Sequence, residues 1–253
     1  MDRYAVFVPK LLPREEPFLP DAPISCKGCG EALAVRLAYK ALGTTMISTG
    51  TWKIPFKPPL AEVLGAKKTE PTMPSLLRVP KGNKQILTIC FDNEARTGTE
   101  KIEKEFWKKR MPAVAVAEGV SYVATACPGY PFDLIAKVKK ACAAPGDAYL
   151  HVLCPCPVGW AFDASLSVKI GRLAVESRVF PLYEVAQGVC FLTVTIPQPR
   201  PVKDYMRLQG RFEQLSDADC AEIQIMVAHE YSLLSASSQQ GEKEHGHHDH
   251  THH

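Results

Sequence analysis

The sequence lacks both a long apolar run and a concentration of charge of one sign. No stretch reaches the length of a membrane-spanning helix. The opening residues, MDRYAVFVPKLLPREEPFLP, carry prolines and acidic side chains where a signal peptide has its apolar region. The formal net charge is +3, with both signs mixed along the chain, whereas nucleic-acid-binding proteins concentrate basic residues on one face. The sequence therefore predicts a cytoplasmic protein that binds neither nucleic acid nor membranes.

Cysteine, in contrast, is abundant: there are nine, an odd number. Disulfide frameworks are rare in the reducing cytoplasm. The cysteines therefore point to metal or iron–sulfur ligation together with thiols buried in the core. The second group is predicted to comprise Cys127, Cys142, Cys190 and Cys220.

Short apolar runs alternate with helical patterns along much of the chain, which predicts an α/β fold with a mostly parallel sheet. The runs QILTICF, SYVATA and AYLHVL predict buried strands, and TTMIST predicts a short one. Residues 31–42 and the segments EKIEKEFWKKR and PFDLIAKVKKACAA predict helices. Further on, a hairpin is predicted to turn at Gln187 and Gly188, and Ser216 is predicted to cap a late helix.

Two parts of the chain show no such pattern. Residues 51–85 scatter proline and lysine without a period, so a long loop is predicted there. Residues 241–253 are polar and rich in histidine, and are predicted to form a disordered tail that binds metal only adventitiously. Residues 1–240 are predicted to form a single α/β domain with a C-terminal extension.

The turn CKGCG, residues 26–30, is the first of three loops with chemistry-bearing residues. Ligands of open parallel sheets bind at the carboxyl ends of the strands, where we expect these loops to lie. The thiols of Cys26 and Cys29 are spaced to share one metal or cluster, and the glycines leave backbone amides free to face an anion. The alternatives are a redox pair or two packed thiols.

The other two loops follow predicted strands. FDNEART supplies Asp92, Asn93 and Glu94, whose oxygen atoms suit Mg²⁺, although Asp and Asn before a helix also serve as N-caps. LCPCPVGW places Cys154 and Cys156 among prolines, as in stiff loops that hold iron–sulfur clusters. The alternative for this loop is that Cys154 packs in the core and Cys156 is incidental.

Seven segments together resemble the thiamine-binding β subunit of 2-oxoacid:ferredoxin oxidoreductases, the pyruvate:ferredoxin oxidoreductase group. In order along the chain, and over most of residues 23–215, they are CKGCGEALAVRLAYKALG, WKIPF, CFDNEA, MPAVAVAEGVSYVATA, AYLHVLCPCPVGW, ESRVFPLYEV and PVKDYMRLQGRFEQL. The resemblance implies a doubly wound, mostly parallel sheet of the thiamine diphosphate-binding type. It also implies oxidative decarboxylation of a pyruvate-like 2-oxoacid to an acyl-coenzyme A, within a complex of several subunits. Thiamine diphosphate with Mg²⁺ and a [4Fe-4S] cluster carry that chemistry, and ferredoxin receives the electrons.

The resemblance extends to individual site residues. The family's cluster ligands match Cys26, Cys29 and Cys156. Its cofactor-facing positions match Gly28, Gly30, Asp92, Asn93 and Ala95. Among these, the resemblance implies that Asn93 binds Mg²⁺ through its side chain and Ala95 through its carbonyl oxygen. It identifies no catalytic side chain.

Two features of the family's pattern are absent. Thr51 stands where the resemblance places a third cluster cysteine, and a hydroxyl is a poor iron ligand beside thiolates. No Gly-Asp-Gly motif, which binds Mg²⁺ and the diphosphate in the family, lies between Thr51 and Phe91. A central strand–helix segment is therefore predicted to be missing.

Three interpretations follow from these departures. In the first, the chain is a working subunit whose gaps are filled by partner chains, or by Cys154 or Cys90 as a fourth thiolate. In the second, it is a degenerate, non-catalytic paralogue or assembly subunit, in which Cys26, Cys29, Cys154 and Cys156 could hold structural Zn²⁺. In the third, it carries an internal deletion and folds poorly.

Overall fold

A computed structural model describes residues 27–42, 75–82, 85–94 and 111–246. Several sequence predictions lie outside these ranges: the strand at 44–49, the helix at 100–110, Cys26, Thr51, Ala95 and residues 247–253.

Within the described ranges, six strands form one sheet in the order β1–β2–β4–β3–β5–β6. The strands are β1 (Ser75–Gly82), β2 (Gln85–Asp92), β3 (Tyr122–Ala126), β4 (Ala148–Leu153), β5 (Tyr183–Ala186) and β6 (Val189–Leu192). Strands β2, β4 and β3 are parallel and form the centre, and the outer pairings are antiparallel. Because β6 also runs in the direction of the central strands, four of the six strands share one direction, and the α/β prediction is confirmed.

Helices lie on both faces of this sheet. They are α1 (Gly30–Leu42), α2 (Met111–Ala117), α3 (Pro131–Ala143), α4 (Ser167–Glu176), α5 (Val202–Met206) and α6 (Asp217–Gly246). Helices α1 and α3 pack on one face of the sheet. Helices α2 and α6 lie on the opposite face, where α2 contacts β3 and β4 and α6 contacts β6. In the described part of the chain, no helix is long and apolar enough to cross a membrane.

The first face of the sheet carries the apolar core. Alternate strand residues such as Leu87, Ile89 and Leu150 are fully buried there against α1 and α3. Side chains on a strand alternate between faces, so the same strands present a second set to the opposite side. Burying a side chain of this size stabilises the fold by about 1.5–3 kcal/mol, so this face holds the centre of the sheet together.

The second face is polar although it is buried. It presents Cys90, Asp92, Thr125, Tyr149 and His151. The register places Cys90 beside His151, and His151 beside Thr125, on three neighbouring strands. Burial of polar groups is unfavourable unless they are hydrogen-bonded, so this face needs a network of its own.

Strand β1 corrects the prediction of a loop through residue 85. It forms a hairpin with β2, from Ser75 opposite Phe91 to Gly82 opposite Gln85. Lys81 fastens the end of β1 by donating from Nζ to the carbonyl oxygens of Ala144, at 2.6 Å, and Gly146, at 2.8 Å. Proline and lysine are frequent in edge strands, and they hid the alternation in this segment.

Two local predictions are confirmed. The hairpin turns at Gln187 and Gly188, whose φ values of 52° and 81° suit a tight two-residue turn. Ser216 caps α6: its hydroxyl accepts the N–H of Asp219 at 3.2 Å, and its own N–H donates to the Asp219 carboxylate at 3.0 Å.

Helix α6 also corrects the predicted start of the disordered tail. It continues to Gly246, past residue 241. Lysine, glutamate and glutamine have good helix propensity, and extending a formed helix is much easier than starting one.

The cysteines in the described ranges are all free thiols. Of the four predicted to pack in the core, Cys127 is fully buried. Cys142, Cys190 and Cys220 are only half-buried. Cys142 and Cys220 lie at the margins of the core.

Candidate functional site

The CKGCG turn docks against the Cys-Pro-Cys loop through its glycines. The N–H of Gly30 donates to the carbonyl oxygen of Pro155 at 3.0 Å, and the Ser167 hydroxyl donates to the carbonyl oxygen of Gly28. A Cβ on Gly30 would lie 2.5 Å from the Pro155 oxygen, and one on Gly28 would lie 2.2 Å from the Ala164 oxygen. The glycines thus permit a close approach of two backbone segments.

This approach brings Cys29 and Cys156 together. The Cys29 sulfur accepts the N–H of Ala32 at 3.5 Å, and the Cys156 sulfur accepts the N–H of Gly159 at 3.3 Å. Burial raises the pKa of the Cys29 thiol, the Ala32 N–H opposes this, and the charges of Glu31 and Cys156 add to the rise. Each sulfur thus has an amide donor of the kind that stabilises sulfur in a cluster.

Neither Cys154 nor Cys90 joins this pair. Cys154 is fully buried, and its thiol donates to the carbonyl oxygen of Val152 at 3.4 Å. Burial raises the pKa of the Cys154 thiol well above its ordinary value. Cys90 lies on the second face of the sheet, where it interacts with His151. Among the described residues, no three or more His, Cys, Asp or Glu side chains are arranged to hold a metal ion. Because Cys26 lies outside those residues, the zinc and fourth-thiolate roles of Cys154 stay predictions.

The loop after β2 lies against the same edge of the sheet. The Asp92 carbonyl oxygen accepts the N–H of Cys154 at 2.8 Å, and the Asn93 carbonyl oxygen accepts the indole N–H of Trp160 at 2.6 Å. The Asp92 carboxylate is engaged within the protein: Oδ1 accepts the N–H of Glu94 at 2.9 Å, and Oδ2 lies 3.3 Å from Nε2 of His151.

His151 is the centre of the network on the second face. Its Nδ1 lies 3.0 Å from the Tyr149 hydroxyl, opposite the Asp92 contact. Burial alone would lower the pKa of His151, but hydrogen bonding to Asp92 and Cys90 raises it to about 9. The ring is therefore a cation at neutral pH, paired with Asp92. The second face satisfies its buried polar groups in this way.

Arg211 ties Glu94 to the C-terminal part of the chain, a role that sequence reasoning missed. Its Nη1 lies 3.2 Å from the Glu94 carboxylate, and its Nη2 donates to the Tyr205 hydroxyl at 2.9 Å. The guanidinium carbon lies 3.7 Å from the centre of the Trp160 ring. Burial raises the pKa of Glu94, and the charge of Arg211 opposes the rise.

A cavity of about 330 Å³ separates the polar second face from α6. Asp92, Thr125 and His151 line one side, and apolar residues of α6 line another. Sequence reasoning missed this cavity. The only signal was the alternation in AYLHVL, which puts Tyr149 and His151 on the same face of a buried strand.

Comparison with known proteins gives the family. No family model matches the chain. The chain is 32% identical to the pyruvate synthase subunit PorB of Methanothermobacter marburgensis over 275 positions, which cover 84% of this chain and 96% of that protein. It is a β subunit of the 2-oxoacid:ferredoxin oxidoreductase family. This β subunit is also 30% identical to PorB of Methanocaldococcus jannaschii, over 88% of its own length and 97% of the relative's. Ketoisovalerate oxidoreductase subunit VorB of Pyrococcus horikoshii is 36% identical over 129 residues, which is 50% of this chain and 42% of that protein.

The length of the first alignment bears on the missing segment. It spans 275 positions, more than the 253 residues of this β subunit. PorB therefore carries residues that this β subunit lacks, whereas the absence of a central strand–helix segment in particular stays a prediction.

The described residues fit the family's two cofactors unequally. Cys29 and Cys156, with an amide donor to each sulfur, fit one side of a cluster site. The surroundings of Asp92 do not fit Mg²⁺ with thiamine diphosphate, because the Glu94 amide and His151 engage both carboxylate oxygens. The space above Gly28 is likewise filled, by the Ala164 carbonyl.

Proposed function

We propose that this chain is the cluster-bearing β subunit of a complex that oxidatively decarboxylates a pyruvate-like 2-oxoacid to an acyl-coenzyme A and reduces ferredoxin. The observation that carries the proposal is the docking of the CKGCG turn on the Cys-Pro-Cys loop, where Gly30, next to Cys29, donates its N–H to the carbonyl oxygen of Pro155, next to Cys156. The names of the relatives support it, since both pyruvate synthase and ketoisovalerate oxidoreductase act on 2-oxoacids.

In this proposal Cys26, Cys29 and Cys156 hold a [4Fe-4S] cluster, which accepts and passes on single electrons. The amides of Ala32 and Gly159 then donate to ligand sulfurs and favour their negative charge. The fourth ligand comes from outside the described residues.

The thiamine diphosphate and Mg²⁺ positions Gly28, Gly30, Asp92, Asn93 and Ala95 stay predictions from the resemblance. Because Asp92 is already paired with His151, we expect groups from partner chains to complete that site.

The surface of α2 supports the assignment to a multi-subunit complex. Met111 is 49% exposed and Val114 is 50% exposed on this short apolar helix. Neighbouring exposed apolar side chains are typical of surfaces that become buried in an assembly.

The test is to purify the chain anaerobically with its native partners and to measure iron, zinc and thiamine diphosphate per chain. The same samples are assayed for ferredoxin reduction with pyruvate and coenzyme A. We expect four irons per [4Fe-4S] cluster in the unaltered complex and in the control Cys142→Ser, and loss of iron and activity in Cys156→Ser. Zinc in place of iron, with no ferredoxin reduction, would contradict the proposal.

A second candidate is a non-catalytic assembly subunit. It is favoured by the engagement of Asp92 with His151 and by the closed space above Gly28. This candidate would be favoured if the purified complex contained iron but no thiamine diphosphate and did not reduce ferredoxin with a 2-oxoacid.

A further inference from the structure

The cavity between the second face and α6 is separate from the cysteine pair, since neither Cys29 nor Cys156 lines it. Its volume of about 330 Å³ is in the range of small-molecule sites. One side is polar, with His151 and Thr125, and another is apolar, with Phe180, Val227 and Leu234. This division suits a small ligand that has one polar end and an apolar body.

Among the described residues, the charges around the cavity leave one cation without an anionic partner. Asp92 pairs with His151, and Arg211 pairs with Glu94. Glu230, the other carboxylate of the lining, is also not without a partner. No carboxylate pairs with Arg178 among the described residues.

Arg178 is only partly satisfied by the protein. Its Nη2 donates to the carbonyl oxygen of Ile196 at 2.5 Å, and its guanidinium carbon lies 4.1 Å from the centre of the Tyr231 ring. Its Nε is buried and has no acceptor among the described residues. The side chain lines the cavity and has no carboxylate partner among the described residues, so an anionic ligand there would supply the missing charge partner.

The backbone at Arg178 supports a role for this side chain. The residue follows α4 with φ of 63°, in the left-handed region that favours glycine at the ends of helices. A long side chain held there has a conformational cost, and such positions point to function when the surroundings maintain them.

We propose that this cavity binds a small monocarboxylate with a branched aliphatic or aryl body. The carboxylate pairs with Arg178, and the body packs against Phe180, Val227 and Leu234. A molecule the size of pyruvate would leave most of the apolar wall without contact. The proposal rests on the proposed function only in naming a 2-oxoacid as one source of the ligand, and a saturated acid is the other.

The test is isothermal titration calorimetry on the purified complex with four probes: 3-methyl-2-oxobutanoate, 3-methylbutanoate, its neutral methyl ester and pyruvate. We expect at least one of the two branched acids to bind about tenfold more tightly than both the ester and pyruvate, because the ester lacks the charge and pyruvate lacks the body. Tighter binding of the 2-oxo form identifies a 2-oxoacid as the ligand, and equal or tighter binding of the saturated acid identifies a site for carboxylates in general. Failure of both branched acids to bind would overturn the proposal.

Two variants test the geometry. Arg178→Gln should weaken binding of the branched acids about tenfold or more, because a charge-assisted hydrogen bond is lost. Arg172→Gln is the matched control, on the exposed side of α4 and outside the cavity. Leu234→Trp should fill the apolar end of the cavity and block binding of the branched acids. This variant tests the proposal if Arg178→Gln does not fold. Unchanged affinity in the folded variants would overturn the proposal.

The same samples separate this proposal from the proposed function. A complex that binds branched acids but reduces no ferredoxin keeps the cavity proposal and loses the oxidoreductase role. A complex that reduces ferredoxin with pyruvate but binds no branched acid keeps the oxidoreductase role and loses the cavity proposal.

Discussion

Replacing Gly28 by alanine tests whether the CKGCG turn is closed by protein or open to a cofactor. A Cβ at this position would lie 2.2 Å from the carbonyl oxygen and 2.9 Å from the Cα of Ala164. These are backbone atoms of a 3₁₀ turn, so they cannot move aside like the end of a flexible side chain. The φ of +69° adds a conformational cost for any residue with a Cβ.

Gly119→Ala is the matched control because its φ is +77° and nothing lies within 4 Å of the added Cβ. Both variants have the conformational cost of about 1–2 kcal/mol. Only Gly28→Ala has the steric cost, which is about 1–3 kcal/mol for overpacking. In a domain of this size each kcal/mol lowers Tm by about 2–4 °C. We therefore expect Gly28→Ala to melt about 2–12 °C below Gly119→Ala.

Thermal melting of the purified complex, with iron measured on the same samples, provides the comparison. The steric clash should also lower iron content in Gly28→Ala, because it displaces the turn that carries Cys29. Equal Tm values for the two alanine variants, with thiamine diphosphate lost only from Gly28→Ala, would refute the reasoning. Gly28 would then face a cofactor and not the backbone of Ala164.

The remaining predictions concern buried charges. Because the pKa of His151 is raised from 6.5 to about 9, its stabilising effect is complete below about pH 6.5 and is lost as the pH rises through 9. This rise in pKa corresponds to about 3 kcal/mol of folding free energy, so urea midpoints should fall between pH 6 and pH 9.5 and change less in Asp92→Asn. If the urea midpoint fell equally with pH in the unaltered protein and in Asp92→Asn, the result would contradict the pairing of His151 with Asp92. Lys137→Met should cost about 3–5 kcal/mol in urea unfolding, because it leaves Asp133 buried without its partner at 2.7 Å. Arg200→Met, in an exposed ion pair, should cost less than about 1 kcal/mol, and a similarly small loss in Lys137→Met would show that its ion pair does not stabilise the fold.

The central strands and the local caps could be predicted from sequence because their determinants are local. β2 and β4 are continuous apolar runs bounded by turn residues, and Ser216 with Asp219 forms a capping box within four residues. Strand β1 could not be predicted from sequence, because an edge strand is defined by the neighbour it pairs with and not by its own apolar pattern.

The site was predictable in its motifs but not in its contacts. The cysteine turn and the Cys-Pro-Cys loop are visible in the sequence, whereas the orientation of Cys154 depends on how the chain leaves β4. The cavity depends on the strand order, which sets His151 between Cys90 and Thr125, and on the path of α6 over the sheet. No local pattern contains that information.

The hairpin between β1 and β2 gives this sheet an unusual tolerance of changes in chain length. A parallel neighbour for β2 would need a crossover of a dozen or more residues, whereas an antiparallel neighbour needs only the short connection between Gly82 and Gln85. The outer edge of β2 is therefore paired by the segment that immediately precedes it, whatever lies upstream of Ser75. A lineage could shorten that upstream region by a whole strand–helix unit and still keep the three parallel strands intact. This side of the sheet should therefore tolerate insertions and deletions, whether they arise in evolution or by engineering.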